Sequence, residues 1–114
     1  MKKIYISGKI SGIEITAPLL FAVAEYSLQE QGYDTVNPIT INHNHDLTWE
    51  SYMKEDVKQM CTCDAIYLLS NWYNSKGAII EHDLAKKLNF KMIYQQKLTV
   101  PQKLKLSYLR LKIM

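Results

Sequence analysis

Residues 65–69, Ala-Ile-Tyr-Leu-Leu, form an almost unbroken apolar run. A strand that is apolar on both sides must be covered on both faces, which is the situation of a central strand in a parallel sheet. The flanking sequence supplies what would cover it. Lys2 to Ser7 sets β-branched and aromatic residues between polar ends and stops at Gly8, as a strand does. Thr16 can cap a following helix with Pro18 in its first turn. Leu20, Phe21, Ala24 and Leu28 then repeat at helical spacing, and Gly32 ends the run. Tyr33 to Val36 reads as a second strand closed by Asn37-Pro38, and residues 38–48 as a polar loop. Trp49 to Met60 is helical by pattern, residues 77–88 give another helix, and Phe90 to Tyr94 another strand. Strands alternating with helical patterns build βαβ units, hence an α/β fold with a parallel sheet and helices on both faces.

The 114 residues suffice for one domain with its own core. Residues 1–94 carry the α/β pattern. Residues 95–114 form a basic tail, a last strand if the alternation of Leu104, Leu106 and Tyr108 with polar residues governs, or a docking helix if the shared face of Leu104, Tyr108 and Leu111 does. That tail holds five Lys/Arg and no acid, whereas the body holds eleven acidic and nine basic residues. The net charge of +3 is therefore a property of the tail, and nucleic acid is not the expected partner. An apolar content of 47% with 22% charged residues argues against disorder. No apolar run approaches the ~20 residues of a membrane span, and the apolar stretch after Met1-Lys2-Lys3 is too short for a signal peptide. The expectation is a cytoplasmic protein without a membrane partner. Cys61 and Cys63, one residue apart, cannot make a disulfide framework or complete a zinc site, and read as reduced thiols.

Two carboxylates stand where core residues belong. In the helix after Gly77, the stripe through Leu84, Ala85 and Leu88 steps back onto Glu81, with His82 and Lys86 on the opposite, solvated face. In the earlier helix the stripe through Trp49, Met53 and Met60 includes Asp56. A buried charge is costly unless it is paired or functional, so each carboxylate either caps or pairs structurally, or does chemistry. Parallel α/β sheets bind ligands at the carboxyl ends of their strands. The loops there are Ser7-Gly8-Lys9-Ile10-Ser11-Gly12 and residues 70–77, the second leading into a helix N-terminus that favours an anion. Neither loop matches a dinucleotide or Walker A fingerprint. Gly8 and Gly12 serve turn geometry or a phosphate's approach; Trp72 and Tyr73 stack on a base or cover the sheet edge.

These residues carry a family resemblance. Ile4-Tyr5-Ile6-Ser7-Gly8, residues 64–69, Ser75-Lys76-Gly77 through Glu81, and Leu84-Ala85 resemble the opening motif, central strand and catalytic helix of the nucleoside 2-deoxyribosyltransferase superfamily, over roughly residues 2–94. The resemblance implies a three-layer, Rossmann/flavodoxin-like, doubly wound parallel sheet of four to five strands, assembled as a homo-oligomer. It places Glu81 on the family's nucleophile, Asp56 near the carboxylate that orients it or handles the base's proton, and Tyr5 on the tyrosine that hydrogen-bonds the nucleophile. Ser75 stands where relatives acting on nucleoside 5′-monophosphates bind phosphate. Gly8, Lys9, Ile10, Gly77 and Trp72 complete the implied nucleotide-binding set. The implied reaction is hydrolysis, or transfer, of the N-glycosidic bond of a nucleotide, a deoxyribonucleotide by preference, with no metal or cofactor. A nucleotide-binding or sequestering protein without turnover is the alternative. His43-Asn-His45-Asp46 matches no defensible zinc spacing and reads as a loop over the cleft. Trp49 reads as core.

Overall fold

The apolar run does lie at the centre of a sheet. The computed structural model describes residues 2–96. Four strands, β1 (Lys3–Ser7), β2 (Asp34–Val36), β3 (Ala65–Leu68) and β4 (Lys91–Tyr94), pair all in parallel in the order β2-β1-β3-β4. Three helices connect them: α1 (Ala17–Glu30), α2 (Trp49–Met60) and α3 (Lys76–Lys87). The basic tail from residue 97 onward, with its expected strand or docking helix, lies outside the described residues.

Strand alternation divides the core into two clusters. Ile4, Ile6, Ala65 and Leu69 face Ala17, Phe21, Ala24 and Leu28 of α1. Tyr5, Ile66 and Leu68 pack with Met60 of α2 and Ala85 of α3. The first crossover therefore covers one face and the later two the other, so the winding reverses between β1 and β3. This is the doubly wound α/β arrangement, and its reversal opens a crevice at the carboxyl ends of those two strands.

Several local expectations are corrected. Thr16 precedes α1 but its hydroxyl caps no helical N–H; it donates to Ile13 O at 3.3 Å, within a turn that already runs into the helix. Leu20 is exposed and Ala17 takes the buried place, because the inner stripe through Phe21, Ala24 and Leu28 steps back by four residues onto Ala17 and leaves Leu20 on its flank. Leu88 is also half-exposed, just past the end of α3. Gly32 does end α1 in the left-handed region, at φ 89°.

Candidate active site

Glu81 reaches the sheet because α3 starts where it does. Ser75 is the N-cap, its hydroxyl oxygen accepting from Ala78 N at 3.1 Å. Ala78, Glu81 and Ala85 follow at helical spacing as the buried stripe of α3. Gly77 lets α2 come close, since a Cβ there would lie 2.9 Å from Met53 Sδ. Glu81 is thereby set over β1, only 5% exposed. Tyr5 Oη donates to Glu81 Oε2 and Ser7 Oγ to Glu81 Oε1, each at 2.7 Å. Both donors come from one strand, two residues apart, and so share a face.

This carboxylate lies in the wall of a cavity of about 780 Å³, within the range of small-molecule sites. The cavity gathers the loop after β1 (Gly8 to Ser11), the turn after β2 (Pro38 and Ile39), His43, one side of α2, and the start of α3. Gly8 is required by packing, because a Cβ there would meet Leu69 Cδ1 at 2.6 Å. Lys9 N donates to Asn71 Oδ1 at 3.0 Å, tying the loop after β1 to the loop after β3.

Asp56 projects from α2 into the same cavity. Its Oδ1 is buried without a hydrogen-bond partner; His43 Nε2 lies 3.5 Å away. Burial, followed by the charges of Glu81 and Glu55, pushes the Asp56 carboxyl up to about 7. Burial likewise pushes Glu81 up to about 7, against the opposing pull of the Tyr5 and Ser7 hydrogen bonds. The Tyr5 phenol is held well above its ordinary value by burial and by Glu81, so it stays protonated and donates. Burial, and at Asp56 the charge of Glu81, disfavour having both carboxyls ionised at once. Glu81, with two hydroxyl donors, is the better anion; Asp56, with none, is the better acid.

A family model described as "Domain of unknown function (DUF4406)" matches residues 2–94. The chain belongs to the DUF4406 family. The DUF4406 match closes on the last residue of β4 and contains every residue lining the cavity. No curated protein matches this chain.

Within this DUF4406 domain, Glu81, Asp56, Tyr5, Gly8, Lys9, Ile10, Ser75 and Gly77 all line the one cavity. Trp72 does not. It stacks on His82, with ring centroids 4.2 Å apart and planes 15° apart, and His82 in turn contacts Tyr94 Oη at 2.9 Å. His82 is therefore covered by an aromatic cluster rather than solvated, a correction to the expected face of α3. Trp49 is corrected as well: it lines the cavity, and Lys76 Nζ sits 4.2 Å over its ring.

Sequence reasoning missed Ser7 and His43 as site groups. Ser7 was accessible by the period-two rule from Tyr5. His43 sits in a loop whose sequence carries no periodicity to orient it.

Proposed function

We propose that this protein cleaves the N-glycosidic bond of a nucleoside 5′-monophosphate, a deoxyribonucleotide by preference, with Glu81 as nucleophile and Asp56 as acid and base. The reading grows from the resemblance to nucleoside 2-deoxyribosyltransferases. One observation carries it: Glu81 is buried at the cavity wall with both oxygens held by hydroxyl donors, while a second carboxyl across the site lacks any. A purely structural carboxylate needs no open cavity beside it.

The chemistry follows. As the C1′–N bond breaks, the sugar gains oxocarbenium character, which the Glu81 carboxylate stabilises and then captures as a glycosyl ester. Asp56 gives its proton to the departing base. Water, losing a proton to the Asp56 carboxylate, then attacks C1′, releasing the sugar phosphate and restoring Glu81 as anion and Asp56 as acid. A second base in place of water gives transfer. Phosphate recognition falls to Ser75, Lys9 and Lys76 at the cavity wall. The Ser75 oxygen is used as a cap acceptor, which leaves its O–H free to donate.

Base release from ribo- and deoxyribonucleosides and their monophosphates, followed by chromatography, tests the assignment. Free base from a monophosphate, and much less from its nucleoside, is the expected result. Binding of monophosphates without release from any of them would instead establish the sequestering protein.

The reading extends to self-association in the cytoplasm. Leu19, Val23 and Tyr26 recur at helical spacing on α1 and are all more than half exposed. Among the described residues no helix is long and apolar enough to cross a membrane, and Cys61 and Cys63 are unpaired, as in a reducing compartment. Sedimentation of Val23→Glu should show a smaller species than the wild type; identical profiles would remove α1 as the interface.

A further inference from the structure

His43 stands beside Asp56 in the cavity wall with one ring nitrogen unspent. The contacts behind it fix which nitrogen that is. His45 Nδ1 contacts the carbonyl oxygen of Asp46. A carbonyl only accepts, so this nitrogen carries a proton and, in the neutral ring, His45 Nε2 is bare. That bare nitrogen contacts His43 Nδ1, which must then be the donor. The neutral His43 ring keeps its lone pair on Nε2, 3.5 Å from Asp56 Oδ1. No hydrogen bond joins the two. The lone pair of the imidazole and the proton of the acid are both left for a ligand.

The imidazole cannot simply turn donor. Reversing its tautomer would set two bare nitrogens, His43 Nδ1 and His45 Nε2, against each other. The ring is also held in place. Tyr52, one turn before Asp56 on α2, lies against both histidines, with its ring centroid 4.6 Å from that of His43 and 4.9 Å from that of His45. The far end of the loop is tied to the same helix, since Asp46 Oδ1 accepts from Thr48 Oγ1 at 2.7 Å and Thr48 caps α2. Ile10, Pro38 and Ile39 give the same cavity apolar surface suited to the faces of a flat ring.

A fixed acceptor beside an acid offers one lone pair and one hydrogen, side by side. A carboxamide offers the same pair, and with it asparagine and glutamine read N6 and N7 of adenine. We infer that His43 and Asp56 select the base: His43 Nε2 accepts from an exocyclic amine while Asp56 protonates the ring nitrogen next to it. The inference rests on the glycosidase reading. Adenine, with N6 beside N7, and cytosine, with N4 beside N3, carry that edge. Guanine and hypoxanthine set O6 beside N7, and thymine sets O4 beside an N3 that already bears hydrogen. An oxygen there would face the His43 lone pair, and a site built for a donor rejects an analogue that lacks it.

The protons balance. As the glycosidic bond breaks, its electron pair leaves with the base, and the Asp56 proton arrives at the ring nitrogen to give a neutral base. His43 neither gains nor loses a proton. Protonating the ring nitrogen makes the neighbouring amine a stronger donor, so the His43 contact tightens in the transition state and favours the rate as well as binding.

Two measurements test this on the full-length chain. The first is base release from dAMP, dCMP, dGMP, dIMP and dTMP. Either dAMP or dCMP should lead the three oxo-bases by about tenfold or more, and which of the two leads tells the adenine edge from the cytosine edge. His43→Leu should lose about tenfold on the leading substrate. For the adenine edge, it should lose under about twofold on the purine deoxynucleotide that lacks the 6-amino group. His43→Gln, whose amide can turn either its oxygen or its NH₂ to the base, should recover the leading substrate and narrow the gap to dGMP. A lead for dGMP, dIMP or dTMP, or equal losses with and without the amine, would overturn the inference.

The second measurement needs no turnover, and so separates this inference from the failure of the glycosidase reading. In ¹⁵N-detected NMR of Glu81→Gln, neutral His43 should be the Nδ1–H tautomer. Its Nε2 resonance should move on saturation with dAMP or dCMP, and far less with the purine deoxynucleotide. An Nε2–H tautomer, or the same response to all three, would overturn it whether or not the wild type releases base. Absence of binding by both dAMP and dCMP would overturn it together with the glycosidase reading.

Discussion

Tyr5 of β1 donates its phenolic hydrogen to Glu81 Oε2 of α3 at 2.7 Å, joining residues 76 positions apart. With the Ser7 hydroxyl on the other oxygen, it makes ionisation of a buried glutamate tolerable. Tyr5→Phe removes that donor without changing the ring's packing. Base release should fall about 10–100-fold, the worth of a hydrogen bond to a charged group. The acid limb of its pH profile should also move to higher pH, because Glu81 then ionises less readily. A rate change with an unmoved acid limb would assign Tyr5 to packing alone.

The proposed mechanism needs Glu81 ionised and Asp56 protonated, and both carboxyls sit at about 7. The profile of kcat/KM against pH should therefore be a narrow bell centred near neutrality, its two limbs belonging to the pair rather than to either residue. Asp56→Asn should cost about a hundredfold or more and abolish the alkaline limb in whatever rate remains. A profile that stays flat through neutrality would contradict the division of roles.

The same burial makes stability depend on pH. Both folded-state values lie above the ordinary carboxyl values of 3.8 and 4.5. Between about pH 4 and 7 the folded protein consequently holds more protons than the unfolded chain. Their contribution is complete at the acid end of that window, declines as pH rises through 7, and levels off above. Glu81→Gln and Asp56→Asn should stabilise the protein at pH 8 by roughly 1–3 kcal/mol, with the gain vanishing toward pH 4. Denaturant titrations at the two pH values would show it; a gain independent of pH would point to some other origin.

Gly8 and Gly77 both border the cavity, yet their neighbours differ in compliance. Ala at position 8 would press on Leu69, whose Cβ as well as its Cδ1 lies within 2.9 Å of the new atom. Ala at position 77 would meet chiefly the flexible Met53 thioether. Gly8→Ala should cost about 1–3 kcal/mol by overpacking, and Gly77→Ala less. Thermal denaturation of the pair checks the order.

The sheet and its covering helices were legible because β3 is apolar on both sides and the helical spacings are clear. The carboxylates were legible for the same reason: Glu81 and Asp56 interrupt apolar stripes. Where periodicity ends, the sequence no longer orients its side chains. His43 belongs to a loop placed by contacts with Tyr52 and Asp56, and no spacing in residues 38–48 encodes them. The stripe of α2 points Trp49 toward the core. A first-turn position at the cavity rim leaves it half-buried, with Lys76 over its ring. Trp72 was drawn to the site by sequence proximity, but the turn at Trp72–Asn74 directs its ring onto His82.

The proposed mechanism gives a carboxylate oxygen of Glu81 the capture of the sugar. The direct measurement is the mass of the Glu81-containing peptide after incubation with a 2′-fluorinated nucleoside monophosphate, whose electron-poor sugar slows hydrolysis of a glycosyl ester. A gain equal to the fluorinated sugar phosphate less one water on that peptide, absent in Glu81→Gln, is the predicted result. Base release by Glu81→Gln at the wild-type rate, or an adduct on another residue, would contradict it.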